Sequence, residues 1–336
     1  MRSVRTGLAV ALAIATVALA GCGGGSTAAD SSKGGLTTLK VAYTPIYTAG
    51  ALQLGIDQGF FKDEGLQLKL QQVANPPAGI AAVAGGQVDI NYAPTIPIFG
   101  ASASGVGLRI IAPADGNDPA GVAQAKADPT QGVTYDDTAV VAEPDSGITR
   151  PRDLDGKTVS VPARQAQLEV TIAAAIKQDG GDPSTVKWIT LDFPTAVSSL
   201  KSGRVDAAGL VTPFVQQAVQ NGAKIISSPA VAFFGGGAVG MWVTSAKEES
   251  AKPDVMAAFA RAVEKSNEYA AAHLGEEQDT AATMLKIDPK VVKSGAQPYF
   301  PTQIDEAQLQ KSADEMQSLG YLDKRVDVAS LLVTAK

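Results

Sequence analysis

Gly86-Gln87-Val88-Asp89 returns as Gly203-Arg204-Val205-Asp206, 117 residues further along the chain. At the same spacing Lys40-Val41-Ala42-Tyr43-Thr44-Pro45 aligns with Lys157-Thr158-Val159-Ser160-Val161-Pro162. Residues 68–73 match 186–191 at nearly the same offset. Three matches in one order predict two copies of one plan. Each short β-rich run leads into an Ala-rich helical stretch, such as 49–58 in the first copy and 168–178 in the second. Strand alternating with helix is the pattern of a parallel α/β sheet. We therefore expect an α/β chain with two similar sheets, each flanked by helices.

Open parallel sheets place ligands outside the carboxyl ends of their strands. Those ends are the loops 44–48, 74–77 and 91–95 in the first copy, and 162–167, 192–195 and 212–214 in the second. Two such rims facing each other would form one cleft. Thr44, Asn75, Asn91, Thr95 and Thr212 are small polar groups on these loops, suited to hydrogen-bonding a solute. Gln165 and Gln167 are similar. Tyr47, Tyr92, Phe193 and Phe214 are aromatic groups that can hold an apolar or ring moiety. Asp192 would take a ligand ammonium or cap the helix that begins near Pro194. Arg164 falls near a predicted helix start, where a cation is unfavourable. A bidentate clamp on an anion gives it a reason to be there; the alternative is an exposed pair with Glu169. Asp89 and Asp206 sit at the opposite end of the strands and read as structural.

The chain has 336 residues, a formal charge of −6, one Cys and one His. That length suffices for two domains. The acidic balance and the lack of a Lys/Arg stripe leave no nucleic-acid footprint. One Cys excludes a disulfide framework, and the Cys and His counts exclude a Cys/His zinc site. We expect no metal and no cofactor. Gly235-Gly236-Gly237-Ala238-Val239-Gly240 fits the dinucleotide pattern GxGxxG, but the strand-like Met241-Trp242-Val243-Thr244 follows where a helix is required. Gly156-Lys157-Thr158 ends like a phosphate loop, yet Pro151 stands where its first glycine belongs. His273 follows an alanine run and reads as a solvated or capping residue.

Arg2 and Arg5 precede an uncharged run over residues 7–20, too short for a membrane span and typical of a secretory signal. Leu19-Ala20-Gly21-Cys22 resembles the lipobox of bacterial lipoproteins, with cleavage before Cys22 and a lipid on its thiol. Residues 22–35 are rich in Gly, Ser, Ala and Asp and read as a tether. The expected product is a globular body leashed to the outside of a bacterial membrane.

Gly59-Phe60-Phe61-Lys62-Asp63-Glu64-Gly65-Leu66 resembles the GFFKKEGL turn of substrate-binding proteins of ATP-binding-cassette importers. Residues 154–162, Leu-Asp-Gly-Lys-Thr-Val-Ser-Val-Pro, resemble their LKGKKVGVP segment. Gly203-Arg204-Val205-Asp206-Ala207-Ala208 with Pro213-Phe214 resembles GxVDAxxxxEPF. The resemblance is to the nitrate/sulfonate/taurine and thiamine-precursor branch, strong over residues 39–218 and loose beyond. It implies a two-lobed periplasmic-binding-protein fold of type II. Lobe 1 would be 36–135 and 236–336, and lobe 2 would be 136–235. It also implies a monomer that delivers a small solute to a membrane permease. The family's frequent Glu before Pro-Phe is Thr212 here, which puts an amine contact at that position in doubt. Residues 115–136 are longer than the family pattern and read as an exposed loop.

An anionic, sulfonate-like solute is the first expectation, with helix N-termini and Arg164 holding its head; a heterocycle such as a thiamine-precursor pyrimidine is the alternative. Synthases of that pyrimidine share the fold but use active-site His and a Cys-rich motif. This chain has only His273 and Cys22, so we expect no enzyme. A sensor role is not separable from transport by sequence.

Overall fold

A computed structural model describes residues 35–127 and 132–333. The signal segment, Cys22 and nearly all of the tether lie outside the described residues. Among the described residues ten strands form two five-stranded sheets: β1 (Thr37–Tyr43), β2 (Leu66–Gln72), β3 (Ile90–Pro94), β4 (Leu108–Asn117), β5 (Thr138–Ala142), β6 (Thr158–Val161), β7 (Lys187–Thr190), β8 (Ala207–Val211), β9 (Lys224–Ser227) and β10 (Gly237–Ser245). The strand orders are β2-β1-β3-β10-β4 and β7-β6-β8-β5-β9. The orders are identical once β1–β4 are laid on β6–β9. The fourth place in each sheet goes to a strand that follows or precedes a crossover: β10 in the first, β5 in the second. These two strands run antiparallel to their neighbours, and the first three strands of each order pair in parallel. The mixed, mainly parallel sheets and helical flanks are those of the two-lobed α/β fold expected from the repeat.

The Gly-x-Val-Asp repeat has a physical cause. Gly86 and Gly203 both sit at φ 69°, where a side chain would be strained, and turn the chain out of a helix. Val88 and Val205 then bury themselves, each 3% exposed. Asp89 Oδ2 accepts from the Lys40 amide at 2.7 Å, and Asp206 Oδ2 accepts from the Thr158 amide at 2.7 Å. The equivalent carboxylate fastens the equivalent strand, β1 or β6, in both copies. Both aspartates are therefore structural, at the end of the sheet away from the loops that carry ligand groups.

Central strands β3, β5 and β8 are buried along their whole length, whereas edge strands β7 and β9 are exposed or half-buried. Burial on both faces explains why the central strands read as unbroken runs of small and apolar residues. Two helices, Pro253–Ala272 and Glu306–Ser318, lie in the C-terminal third. Residues 115–136 depart from the expected loop. Asp115–Asn117 complete β4, and helices Pro119–Ala127 and Gly132–Tyr135 follow. Ala and Gly in that stretch serve helix and close packing as well as exposure. His273 ends the long helix and sends Nδ1 to the Tyr269 carbonyl at 2.8 Å, its ring stacked on Tyr269. Among the described residues no helix is long and apolar enough to cross a membrane.

A Cβ added at Gly79 would lie 1.9 Å from Asn91 Oδ1, whereas one added at Gly100 meets nothing within 4 Å. We expect Gly79→Ala to cost about 1–3 kcal/mol by overpacking. Gly100→Ala, in an open position of helix Thr95–Ala103, should be neutral or stabilising by up to about 1 kcal/mol. Chemical denaturation of the two variants checks the contrast.

Candidate functional site

The carboxyl rims of the two sheets meet at one cavity. From the first sheet come Thr44 and Ile46 after β1, Ala74 to Pro76 after β2, and Tyr92 and Pro94 from β3. From the second come Pro162, Ala166, Gln167 and Leu168 after β6, Phe193 beyond β7, and Val211 of β8. The last wall is Asp137. It precedes β5, and β5 runs antiparallel with Thr138 paired to Val211, so its amino end lies at the carboxyl rim of β8.

Helix starts shape these walls. Asn75 caps helix Pro76–Ala84 by accepting from the Ala78 amide at 3.0 Å, which leaves its side-chain NH2 for the cavity. Helix Gln167–Gln178 begins at Ala166 with no side-chain cap, so its first amides are available. Phe193 stacks on Phe214 with centroids 5.2 Å apart. Tyr92 sits edge-on to Trp242 at 5.8 Å, and Trp242 in turn to Phe259 at 5.8 Å. Each aromatic wall is thus backed by a second ring that fixes its orientation. A further small crevice in the first lobe shares Thr44, Ile46 and Tyr92 with the cavity and reaches Trp242 and Asn267.

Of the residues expected at the site, Thr44, Asn75, Tyr92 and Phe193 line the cavity, as does Gln167. Phe214 acts behind Phe193. Asp192 caps its own helix, accepting from the Thr195 amide at 2.8 Å, so the capping alternative holds. Tyr47 is 3% exposed and packs against Ala281 and Val292 behind the rim. Asn91 and Thr95 are fully buried and line no part of the cavity; Asn91 faces Gly79. Thr212 is 1% exposed and lies under Gly295.

Arg164 and Gln165 line an open groove with Gly320 and Tyr321, outside the cavity. Arg164 Nε donates to Glu169 Oε2 at 2.6 Å, and the Gln165 amide donates to the same oxygen at 2.9 Å. Glu169 also takes the Tyr321 hydroxyl at 3.5 Å. The pair with Glu169, not an anion clamp, accounts for Arg164 in this conformation. Glu169 is almost wholly buried and needs that partner.

Sequence reasoning missed Asp137. The rule of strand carboxyl ends looks only at parallel strands, and Asp137 enters at the start of an antiparallel one. Asp136-Asp137 ahead of the apolar run Thr138–Ala142 was the available signal. Burial holds the Asp137 carboxyl well above its ordinary range, and the charges of Asp136 and Asp115 push it the same way. Asp136 is raised to about 6 by burial, against the hydrogen bonds it accepts from Thr138 and Val231. Asp115 is raised by burial, although Thr48, Tyr92 and the Gly240 amide oppose this.

The family profile described as NMT1/THI5 like matches residues 43–134 and 133–276. The chain belongs to this family. A curated protein of Brachyspira hyodysenteriae, named as an ABC transporter periplasmic binding protein, is 25% identical over 215 residues. That alignment spans 59% of this chain and 56% of the relative, a little over half its length. The MOPS-bound alkanesulfonate-binding protein SsuA of Xanthomonas axonopodis pv. citri superposes with a TM-score of 0.72 at 16% identity, covering 90% of this chain and all of that one. The nitrate-binding protein NrtA of Synechocystis PCC 6803 gives a TM-score of 0.73 at 13% identity, covering 88% and 86%. At these identities the two structures establish the fold, which is that of periplasmic binding proteins of type II.

Proposed function

We propose that the chain is the solute-capturing component of an ABC importer. A compact solute enters between the lobes, the lobes close on it, and the closed form is presented to a membrane permease. The lipid on Cys22 holds the body at the outer face of the membrane. The carrying observation is a cavity whose walls come from the carboxyl rims of both sheets, so that a solute in it favours the state in which the sheets are together. The family and the two solute-binding neighbours support the same reading.

An enzyme of the pyrimidine-synthase type finds less support. Among the described residues no His and no Lys lines the cavity, and the one His is held at Tyr269. A lysine Schiff base has no lysine to use there.

A thermal-shift screen with sulfonates, taurine, nitrate, amino acids, pyrimidines and organic cations tests capture. A solute at 100 times its Kd adds about 2.7 kcal/mol and raises Tm by several degrees. A flat response across every class would contradict the proposal. Because Arg164 stands outside the cavity, Arg164→Ala is expected to leave the Kd of the responding solute within about threefold. A tenfold loss on titration would return Arg164 to the binding surface.

A further inference from the structure

We propose that the cavity selects organic cations that carry N–H donors, namely ammonium, amidinium or guanidinium groups, with the Asp137 carboxylate as their counter-ion. The inference rests on the solute-binding reading above and names the solute class.

Three observations lead to it. Among the described residues Asp137 is the sole charged side chain that lines the cavity. It forms no ion pair there, and Arg164, the expected cation of the rim, is engaged by Glu169. Second, two buried wall atoms with no protein partner can accept a hydrogen bond from a guest. Thr44 is 4% exposed, and its Oγ1 has no protein partner. Gln167 Oε1 is buried and equally without one. Buried polar atoms left unpaired are costly, and a guest that donates hydrogen bonds can satisfy both of these beside the Asp137 carboxylate. Third, Tyr92 and Phe193 bring aromatic rings from opposite sheets to the same space, and ring faces attract cations.

The competing feature is the uncapped start of helix Gln167–Gln178, which attracts anions. A helix N-terminus is worth roughly half an elementary charge. The Asp137 carboxylate on the facing wall carries a full one once ionised, and in that state an anion meets net repulsion.

The groups facing Asp137 add to this. Asp136 neighbours it on its own segment, Asp115 comes from β4, Tyr92 from β3, and Tyr47 from the loop after β1, with Glu277 beyond Tyr47. All are acidic or neutral. Together with burial they favour the protonated Asp137 carboxyl in the empty cavity, whereas a bound cation favours the ionised form. Cation affinity therefore rises as pH rises through the Asp137 titration. An anion, which binds the protonated cavity better, shows the opposite slope.

Titration of the full chain with benzamidinium and n-butylammonium, beside methanesulfonate and nitrate, at pH 5.5 and pH 8, decides the matter. We expect at least one of the two cations to bind, at least tenfold tighter at pH 8 than at pH 5.5. Asp137→Asn should weaken that binding at least tenfold at pH 8 and remove its pH dependence. The wild-type slope carries the test if the variant does not fold. Binding of methanesulfonate or nitrate but neither cation, tighter at pH 5.5 and unharmed by Asp137→Asn, overturns charge selection and leaves solute capture standing. Binding of neither class, in a protein that also fails the broader thermal screen, overturns both.

Discussion

Gly295→Phe is expected to weaken solute binding by at least about thirtyfold while the ligand-free protein still unfolds near the wild-type temperature. Gly295 follows helix Pro289–Lys293, which packs on helix Leu274–Leu285 and through it on Ala49–Asp57 of the first lobe. A Cβ placed there would stand 2.6 Å from Thr212 Cγ2 and 3.0 Å from the Gln216 side chain, both in the second lobe. Only hydrogen fits between the lobes at this point. A benzyl group has no room in the closed arrangement, and neither β8 nor the helix Phe214–Gln220 can yield without disturbing the stacked Phe193 and Phe214. The open arrangement, if the lobes separate as proposed, relieves the clash. The cost then falls on closure, and the measured affinity drops by the fraction of molecules able to close. Titration beside thermal denaturation separates the outcomes. An unchanged Kd would mean that the lobes need not approach at Gly295 to hold the solute. A Tm lowered by tens of degrees would mean that the contact belongs to folding, not to closure.

The second large effect is a stability that falls as pH rises through the mildly acidic range. Asp136 bridges the two connections between the sheets. Its Oδ1 accepts from the amide and hydroxyl of Thr138 at the start of β5, and its Oδ2 accepts from the Val231 amide of helix Pro229–Phe234, just ahead of β10. Burial at 4% exposure raises its carboxyl to about 6, above the value near 4 in an unfolded chain. Between those values the folded protein holds a proton that the unfolded chain has released. Stability is then greatest below the unfolded value and is lost as pH rises through about 6. From pH 4.5 to pH 7.5 Asp136 alone removes roughly 2 kcal/mol, and Asp115 and Asp137, also raised, act in the same direction. Carboxylates that salt or hydrogen bonds depress, such as Asp179 at about 2 beside Arg150, oppose this only at lower pH. Urea denaturation of the ligand-free protein at steps from pH 4.5 to 7.5 measures the slope. Asp136→Asn should flatten it by the Asp136 share, although its amide cannot accept both sets of hydrogen bonds and will lower stability throughout. A wild-type stability that rises over this interval would contradict the buried, protonated state of these groups.

The fold was legible because its repeat is written in residues with obligatory roles. A glycine at φ 69° and an aspartate that fastens the neighbouring strand recur in both halves because each half builds the same turn. The rim of the cleft followed from strand direction. The choice of residues on that rim did not, because successive strand side chains point to opposite faces. Tyr92 turns toward the cavity, so Asn91 beside it is driven into the helix layer against Gly79. Polarity and position were alike for the two, and only pairing register separates them. Arg164 fell to a five-residue contact with Glu169 that spacing allows but cannot rank above ligand binding. Asp137 was invisible for a topological reason. A strand that crosses from the other half of the chain enters antiparallel, and it delivers its amino end to a rim that parallel strands build from their carboxyl ends.

The most direct test of the account is a crystal structure of the protein grown with the solute that gives the largest thermal shift. The account predicts that solute between Thr44 and Asn75 on one side and Gln167 and Phe193 on the other, with a nitrogen of the solute at hydrogen-bond distance from the Asp137 carboxylate. A solute in the groove beside Arg164 and Tyr321, or on an outer face of either sheet, would contradict it.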